Sequence, residues 1–204
     1  AKYEISGPDA VTYMDYLFAS RLPDLGRIRL GPLLLPSGHL KGDLTMMRLA
    51  EDKFMITGSG YLQEFHMLWF EQHSGGKKVR VVNRSDELSA IAIAGPGSRE
   101  LLSLAASGEV DNDSMPFMSV RSMDVGIAPC LIARLSFTGE LGYEIYVPIV
   151  YARSLYDYLL EVGDTFGIRP FGIRALVSLG KEKSFGIWSR EFTPEYTPAM
   201  CGLD

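Results

Sequence analysis

The 204 residues include 20 basic and 25 acidic side chains, which gives a formal net charge of -5. Hydrophobic residues make up 47% of the chain, enough for one sizeable domain or two closely associated halves. No basic run is longer than Lys77-Lys78, and this argues against a nucleic-acid partner, because neutralising phosphates requires a basic face. No apolar stretch reaches membrane-spanning length, so no membrane partner is predicted.

The cysteines and histidines do not form a metal-binding pattern. Cys130 and Cys201 are too few for a disulfide framework and lie too far apart for a zinc site. His39, His66 and His73 show no ligand spacing with each other or with a cysteine. We therefore predict no metal site, and the two thiols indicate a reducing compartment: the cytoplasm, or the mitochondrial matrix in a eukaryote.

The hydrophobic pattern of the first half predicts alternating strands and helices. Strands are expected over residues 2–6, 53–57 and 78–83. Helices are expected after the breakers Gly7-Pro8 and Gly58-Ser59-Gly60. The apolar faces of the second of these helices are expected to contain Leu62, Phe65, Leu68 and Trp69.

The second half, residues 89–204, repeats the layout of the first, residues 1–88. A strand over residues 89–94 leads through Gly95-Pro96 into a helix, and a strand over residues 143–147 leads into another helix. We therefore predict an α+β fold that consists of two repeats and a C-terminal extension. The chain ends indicate a fragment of a longer protein.

The spacing of the junctions supports a duplication. Gly7 and Gly95, which begin the two Gly-Pro junctions, lie 88 positions apart (95 − 7). Phe54 follows Gly7 by 47 positions, and Tyr143 follows Gly95 by 48. The alternative is coincidence, because Gly-Pro is a common breaker.

Asp43 is an unusual residue for its position. A hairpin tip at Ser37-Gly38 leads into an otherwise apolar strand that carries this one carboxylate. Aspartate is disfavoured in strands and costly to bury without a partner. It is either a surface turn acid or a functional group.

Glu144 is a second acid inside an apolar strand, and it follows a glycine-rich turn over residues 138–142. It either faces solvent or accepts hydrogen bonds from a buried donor, such as the ring N–H and exocyclic amine of a heterocycle. Phe137 either stacks on such a ring or packs in the core. The repeat predicts that the Asp43 and Glu144 hairpins correspond and face one ligand.

Other candidates have less support. Arg174, in a helix predicted near residues 171–179, either lies along apolar surface or pairs with an anion. Trp188 is either a lid over the core or a ligand contact. The sequence contains no GxGxxG motif and no P-loop, and its histidines form no convincing catalytic triad.

Several stretches resemble the folate-binding aminomethyltransferase family of the glycine-cleavage T-protein, and in particular the C-terminal folate-binding region of dimethylglycine and sarcosine dehydrogenases. They include GDLT at residues 42–45 and TGELGYE at residues 138–144. The others are residues 3–10, 54–60, 94–96, 172–176 and 197–198. The resemblance implies two related β-α-β-α halves with antiparallel sheets, and a C-terminal barrel that is missing here.

The resemblance also implies roles for particular residues. Asp43 matches the family's functional aspartate beside the reactive folate nitrogens. Glu144 matches the carboxylate that holds the pterin edge, and Phe137 falls where an aromatic residue lines the pterin. Further matches to pocket positions are Thr45, Thr57, Arg174 and Trp188. The sequence departs from the family pattern at Leu30, Gly180-Lys181 and Ser189.

The implied activity is tetrahydrofolate-dependent methylene transfer from an amine donor such as dimethylglycine, sarcosine or glycine, forming 5,10-methylenetetrahydrofolate. FAD is expected only if a flavin dehydrogenase domain or subunit exists outside this chain. Two alternatives stay open: a non-catalytic folate-binding module of the iron–sulfur assembly type, and a folate-dependent demethylase of a methylated sulfur compound.

Overall fold

A computed structural model of the chain describes residues 1–203. The chain forms two compact units: Ala1–Ser85 together with Gly186–Asp204, and Asp86–Phe185. This division differs from the repeat boundaries drawn from the sequence, because the C-terminal segment belongs to the first unit. A backbone hydrogen bond ties this segment to the rest of the first unit: the Leu40 N–H donates to the Tyr196 carbonyl at 2.8 Å. No helix in the described part of the chain could cross a membrane.

The first unit is a five-stranded antiparallel sheet with two helices. Its strands are β1 (Lys2–Ser6), β2 (Ile28–Leu34), β3 (Leu40–Ala50), β4 (Lys53–Thr57) and β5 (Arg80–Asn83), and its helices are α1 (Ala10–Leu17) and α2 (Gln63–Gln72). The strand order is β2-β3-β4-β1-β5.

The apolar face of α2 differs from the prediction. His66 and Phe70 are buried, whereas Leu68 is 54% exposed. His66 is tolerated inside because its Nδ1 is 2.9 Å from the Tyr3 hydroxyl. Burial also lowers the pKa of His66 to about 4, so that the ring is neutral near pH 7.

The second unit is a four-stranded antiparallel sheet with three helices. Its strands are β6 (Leu88–Ala94), β7 (Val120–Val125), β8 (Ala128–Ala133) and β9 (Gly142–Pro148), and its helices are α3 (Ser98–Ala105), α4 (Ala152–Gly163) and α5 (Ile173–Glu182). Its core includes Leu101, Leu102 and Ala105 of α3 and Leu155 and Leu159 of α4. The hairpin of β7 and β8, which turns at Gly126 with φ 58°, is not predicted from the sequence.

The two units share one strand order. The second sheet runs β7-β8-β9-β6, and the first runs β2-β3-β4-β1 before its extra edge strand β5. In each unit a helix follows the first strand and another follows the fourth. The predicted fold class, α+β with two related antiparallel halves, is confirmed.

The expected correspondence between the Asp43 and Glu144 hairpins is wrong. Asp43 lies in β3, whose counterpart is β8, whereas Glu144 lies in β9, whose counterpart is β4. The reason is that the glycine-rich turn joins the third and fourth strands of its sheet, whereas the tip at Gly38 joins the second and third strands.

Candidate functional site

Asp43 lies on the face of the first sheet that is turned away from the unit's main core. Leu44 and Met46 belong to that core, so Asp43 and Thr45 alternate to the other face. The strand register shifts between Leu33 and Leu34, just before the residue pair formed by Pro32 and Asp43. Such irregularities re-aim side chains and are common beside functional sites.

The Asp43 carboxyl is half-buried. Burial raises its pKa to about 6, and a hydrogen bond from its own backbone N–H counteracts this only in part. Within residues 1–203 no ion pair with Asp43 is present. A carboxyl in this state can gain or lose a proton near neutral pH.

Three candidate residues share this face of the first sheet. Thr45 pairs directly with Thr57 across β3 and β4, and Asp43 lies two residues before Thr45. Trp188 lies in the C-terminal segment, half-buried, in an isolated parallel bridge with Phe192. The structure thus brings together Asp43, Thr45 and Thr57 on adjacent strands.

Glu144 lies on the second sheet, on the face opposite its core. Its direct neighbours are Ala92 on β6 and Ala133 on β8. Both are small, and Ala92 is exposed. The carboxylate therefore stands among short side chains, an arrangement that leaves room for a planar group at its edge.

The Glu144 carboxylate accepts a hydrogen bond from a side chain on its own strand. The Tyr146 hydroxyl donates to its Oε2, and both side chains project from the same face of β9. Burial raises the pKa of Glu144, whereas the Tyr146 hydrogen bond lowers it. Sequence reasoning missed Tyr146, although the spacing of two residues within a strand was the available signal.

Phe137 lies in the loop between β8 and β9. The loop is held by Ser136 and Thr138, whose hydroxyls are 2.8 Å apart, and Thr138 is buried. The Phe137 ring is half-buried, with its centroid 6.1 Å from that of Phe185. Its edge contacts the backbone of α5. Packing therefore holds one side of the ring, and the rest of the ring stays accessible.

Arg174 is exposed in the first turn of α5. Among the salt bridges of the described residues none involves Arg174, so its predicted pairing with an anion stays a prediction. The described residues also contain no group of three or more His, Cys, Asp or Glu side chains that could hold a metal ion.

Two cavities of the second unit are lined by other residues than these candidates. One, of about 550 Å³, lies between β6, α4 and residues 166–173. The other, of about 590 Å³, is lined from β7 and β8. Glu144, Phe137 and Arg174 line neither of them. These three residues are therefore judged by their own contacts and burial, and not by membership of a cavity.

Comparison with known proteins places the chain in a family. The GCVT N-terminal domain matches residues 1–204. Human mitochondrial dimethylglycine dehydrogenase is 34% identical over 207 residues, which are 100% of this chain and 24% of that protein. Sarcosine oxidase subunit alpha from Rhizobium meliloti is 31% identical over 217 residues, 99% of this chain and 21% of that protein.

A solved structure agrees. Glycine cleavage system aminomethyltransferase T from Bartonella henselae superposes with a TM-score of 0.84 at 28% identity, covering 97% of this chain and 52% of that one. The chain thus spans about a quarter of the length of the dehydrogenase and about half of the solved T-protein. The resemblance stated from the sequence is confirmed: the chain belongs to the GCVT N-terminal domain family.

Proposed function

We propose that this chain forms the folate-binding part of a tetrahydrofolate-dependent enzyme that transfers a methylene group from an amine-derived iminium or aminomethyl donor, giving 5,10-methylenetetrahydrofolate. The observation that carries the proposal is the environment of Asp43, a half-buried carboxyl that forms no ion pair within residues 1–203 and whose pKa is raised by burial to about 6. Family membership supports it, and the names of the relatives favour donors such as dimethylglycine, sarcosine or glycine.

Asp43 would act in two ways. Bound tetrahydrofolate would supply two nitrogens that form bonds to the methylene carbon of a cationic iminium. Both bonds from that carbon to the amine nitrogen would break, and the two protons that the folate nitrogens lose would leave on the amine as an ammonium ion. The ionised Asp43 carboxylate would stabilise the cation, since a charge in a partly desolvated place acts strongly. With a pKa near neutral, Asp43 could also carry one of the protons.

The residues of the second unit fit tetrahydrofolate by their chemistry. Glu144 presents acceptor oxygens among alanines, which suits the paired N–H donors at the edge of a pterin. Phe137 offers a half-buried aromatic ring for stacking. Bound folate would supply the nitrogens that accept the one-carbon unit. Thr45, Thr57, Arg174 and Trp188 are proposed as further pocket residues.

The proposal places FAD outside this chain. The chain covers only 24% of the dehydrogenase and 21% of the oxidase subunit, so a flavin domain or subunit outside the chain is the proposed partner. The proposed location is the cytoplasm, or the mitochondrial matrix in a eukaryote.

The test is Asp43→Asn in the full-length protein. We expect tetrahydrofolate affinity to change little, while methylene transfer from the donor falls by about 10²–10⁴-fold, the usual contribution of a positioned acid–base group. Product formation and folate binding are measured on the same preparation. Asp24→Asn, at an exposed position, is the control and should retain full transfer. Unchanged transfer in Asp43→Asn would remove Asp43 from the mechanism.

A further inference from the structure

Gly180 lies in the last turn of α5 and is buried. Its φ angle is not positive, so the backbone conformation there does not require glycine. Glycine inside a helix is destabilising relative to alanine, because it loses more conformational freedom on folding. A reason other than backbone conformation is therefore needed for glycine at this position.

The reason is space. A Cβ atom added to Gly180 would lie 2.5 Å from Cε1 of Phe137 and 3.0 Å from its Cζ. Carbon atoms prefer to be about 3.5–4.0 Å apart, so that side chain could not coexist with the ring in its present place. The ring of Phe137 lies directly against the backbone of α5.

The chain after α5 holds the ring from a second direction. The Phe185 N–H donates to the Gly180 carbonyl at 3.0 Å, which turns the chain back at the end of the helix. This places the Phe185 ring at 6.1 Å from the Phe137 ring, centroid to centroid, with 47° between their planes. Phe137 is therefore fixed by Gly180 and by Phe185 together.

A second glycine fits the loop to the helix. Gly139 has φ +73°, and a Cβ atom there would lie 2.4 Å from Cγ of Lys183. The loop thus has a glycine facing the side chain of Lys183, directly after α5, while α5 has a glycine facing a side chain of the loop. This reciprocal fit fixes the distance between the loop and the last turn of the helix.

We propose that Gly180 is a positioning residue for folate: it sets the height of the Phe137 ring and so determines how tightly a flat heterocycle stacks on it. The inference rests on the proposed function, in which Phe137 lines the pterin. It concerns folate affinity and leaves the chemical step to other residues.

The test is Gly180→Ala in the full-length protein. The new methyl group forces the half-exposed Phe137 ring outward, so we expect the dissociation constant for tetrahydrofolate to rise about tenfold, within the range of one aromatic stacking contact. The turnover number at saturating folate should stay within about twofold, because only ground-state binding is weakened. Gly172→Ala, at the start of the same helix where a Cβ meets nothing within 4 Å, should bind folate normally.

A double-mutant cycle separates positioning from general damage. In a Phe137→Leu background the ring is gone, so Gly180→Ala should cause no further loss of affinity. An equal loss in both backgrounds, or no loss in either, would overturn the inference. If Gly180→Ala folds poorly, Phe137→Leu must restore folding in the double variant, and failure to do so would also overturn it. Absence of folate binding by the unmodified protein would instead refute the proposed function.

Discussion

Asp43 in the first unit and Glu144 in the second are both half-buried acids, each on the sheet face that is turned away from its unit's core. Their surroundings differ. Among residues 1–203, only its own backbone N–H donates to the Asp43 carboxyl, and burial raises the pKa of Asp43 to about 6. Glu144 accepts a hydrogen bond from the Tyr146 hydroxyl. This bond lowers the pKa of Glu144 and so offsets part of the rise that burial causes.

This difference suits the two acids to different roles, proton transfer and ligand recognition. An acid without an outside donor changes its protonation state near neutral pH, as a group that handles protons must do. An acid that already accepts a fixed hydrogen bond is held in one orientation with its other oxygen available, which suits recognition of a ligand edge. We therefore propose that Asp43 handles protons and that Glu144 recognises folate.

The largest effect on folate binding is expected from Glu144→Gln. Replacing the carboxylate by an amide turns one acceptor oxygen into a donor and removes the charge. We expect tetrahydrofolate affinity to fall about 100-fold, or about 2.7 kcal/mol, as for the loss of a pair of hydrogen bonds to a charged group. Titration calorimetry of the full-length protein measures it. Glu140→Gln, an exposed acid in the neighbouring loop, should bind folate normally. Equal affinities would show that Glu144 does not hold folate.

Much of the fold could be predicted because it depends on local patterns. Alternation and breakers located β1, β4, β6 and β9 to within a residue or two. The prediction failed where tertiary contacts decide. Leu68 is exposed because His66, paired with Tyr3, takes the buried face of α2.

The site was predicted in part for the same reason. Asp43 and Glu144 could be found because each is an acid in an apolar strand, a local anomaly. The packing of Phe137 on Gly180 could not be found, since the two residues are distant in sequence and only the fold brings them together. The glycine that departs from the family pattern at position 180 thus has a structural explanation that its sequence context does not give.

The next effect concerns the stability of Asp43→Asn, measured without any ligand. The folded-state pKa of Asp43 is about 6, above its ordinary value of 3.8, so ionisation at neutral pH destabilises the folded protein. This penalty is absent below about pH 4, grows as pH rises towards 6, and is complete above it. We expect Asp43→Asn to unfold at higher denaturant concentration at pH 7, by about 2 kcal/mol in free energy, with the gain vanishing below pH 4.

Asp24→Asn serves as the control for this measurement, because Asp24 is exposed. Its stability relative to the unmodified protein should be the same at pH 4 and pH 7. If Asp43→Asn is no more stable than the unmodified protein at pH 7, the carboxyl of Asp43 in the unmodified protein must be well solvated. The proposed difference between the surroundings of Asp43 and Glu144 would then be wrong. A gain in stability that accompanies a loss of transfer is the signature of a strained functional acid.

The smallest effect is expected from Tyr146→Phe. This change leaves Glu144, like Asp43, without a hydrogen bond from a side-chain hydroxyl. Without the hydroxyl donor the pKa of Glu144 rises further, so the ionised form that accepts the folate donors is lost at a higher pH. We expect tetrahydrofolate to bind about fivefold more weakly at pH 6, equivalent to about 1 kcal/mol, with the difference shrinking as pH increases. Binding titrations between pH 5.5 and pH 8.5 measure the shift. Tyr143→Phe is the matched control on the opposite face of β9, since its hydroxyl donates to the Val110 carbonyl and not to Glu144; a shift of equal size in that variant would show that the Tyr146 hydrogen bond is not what holds Glu144 ionised.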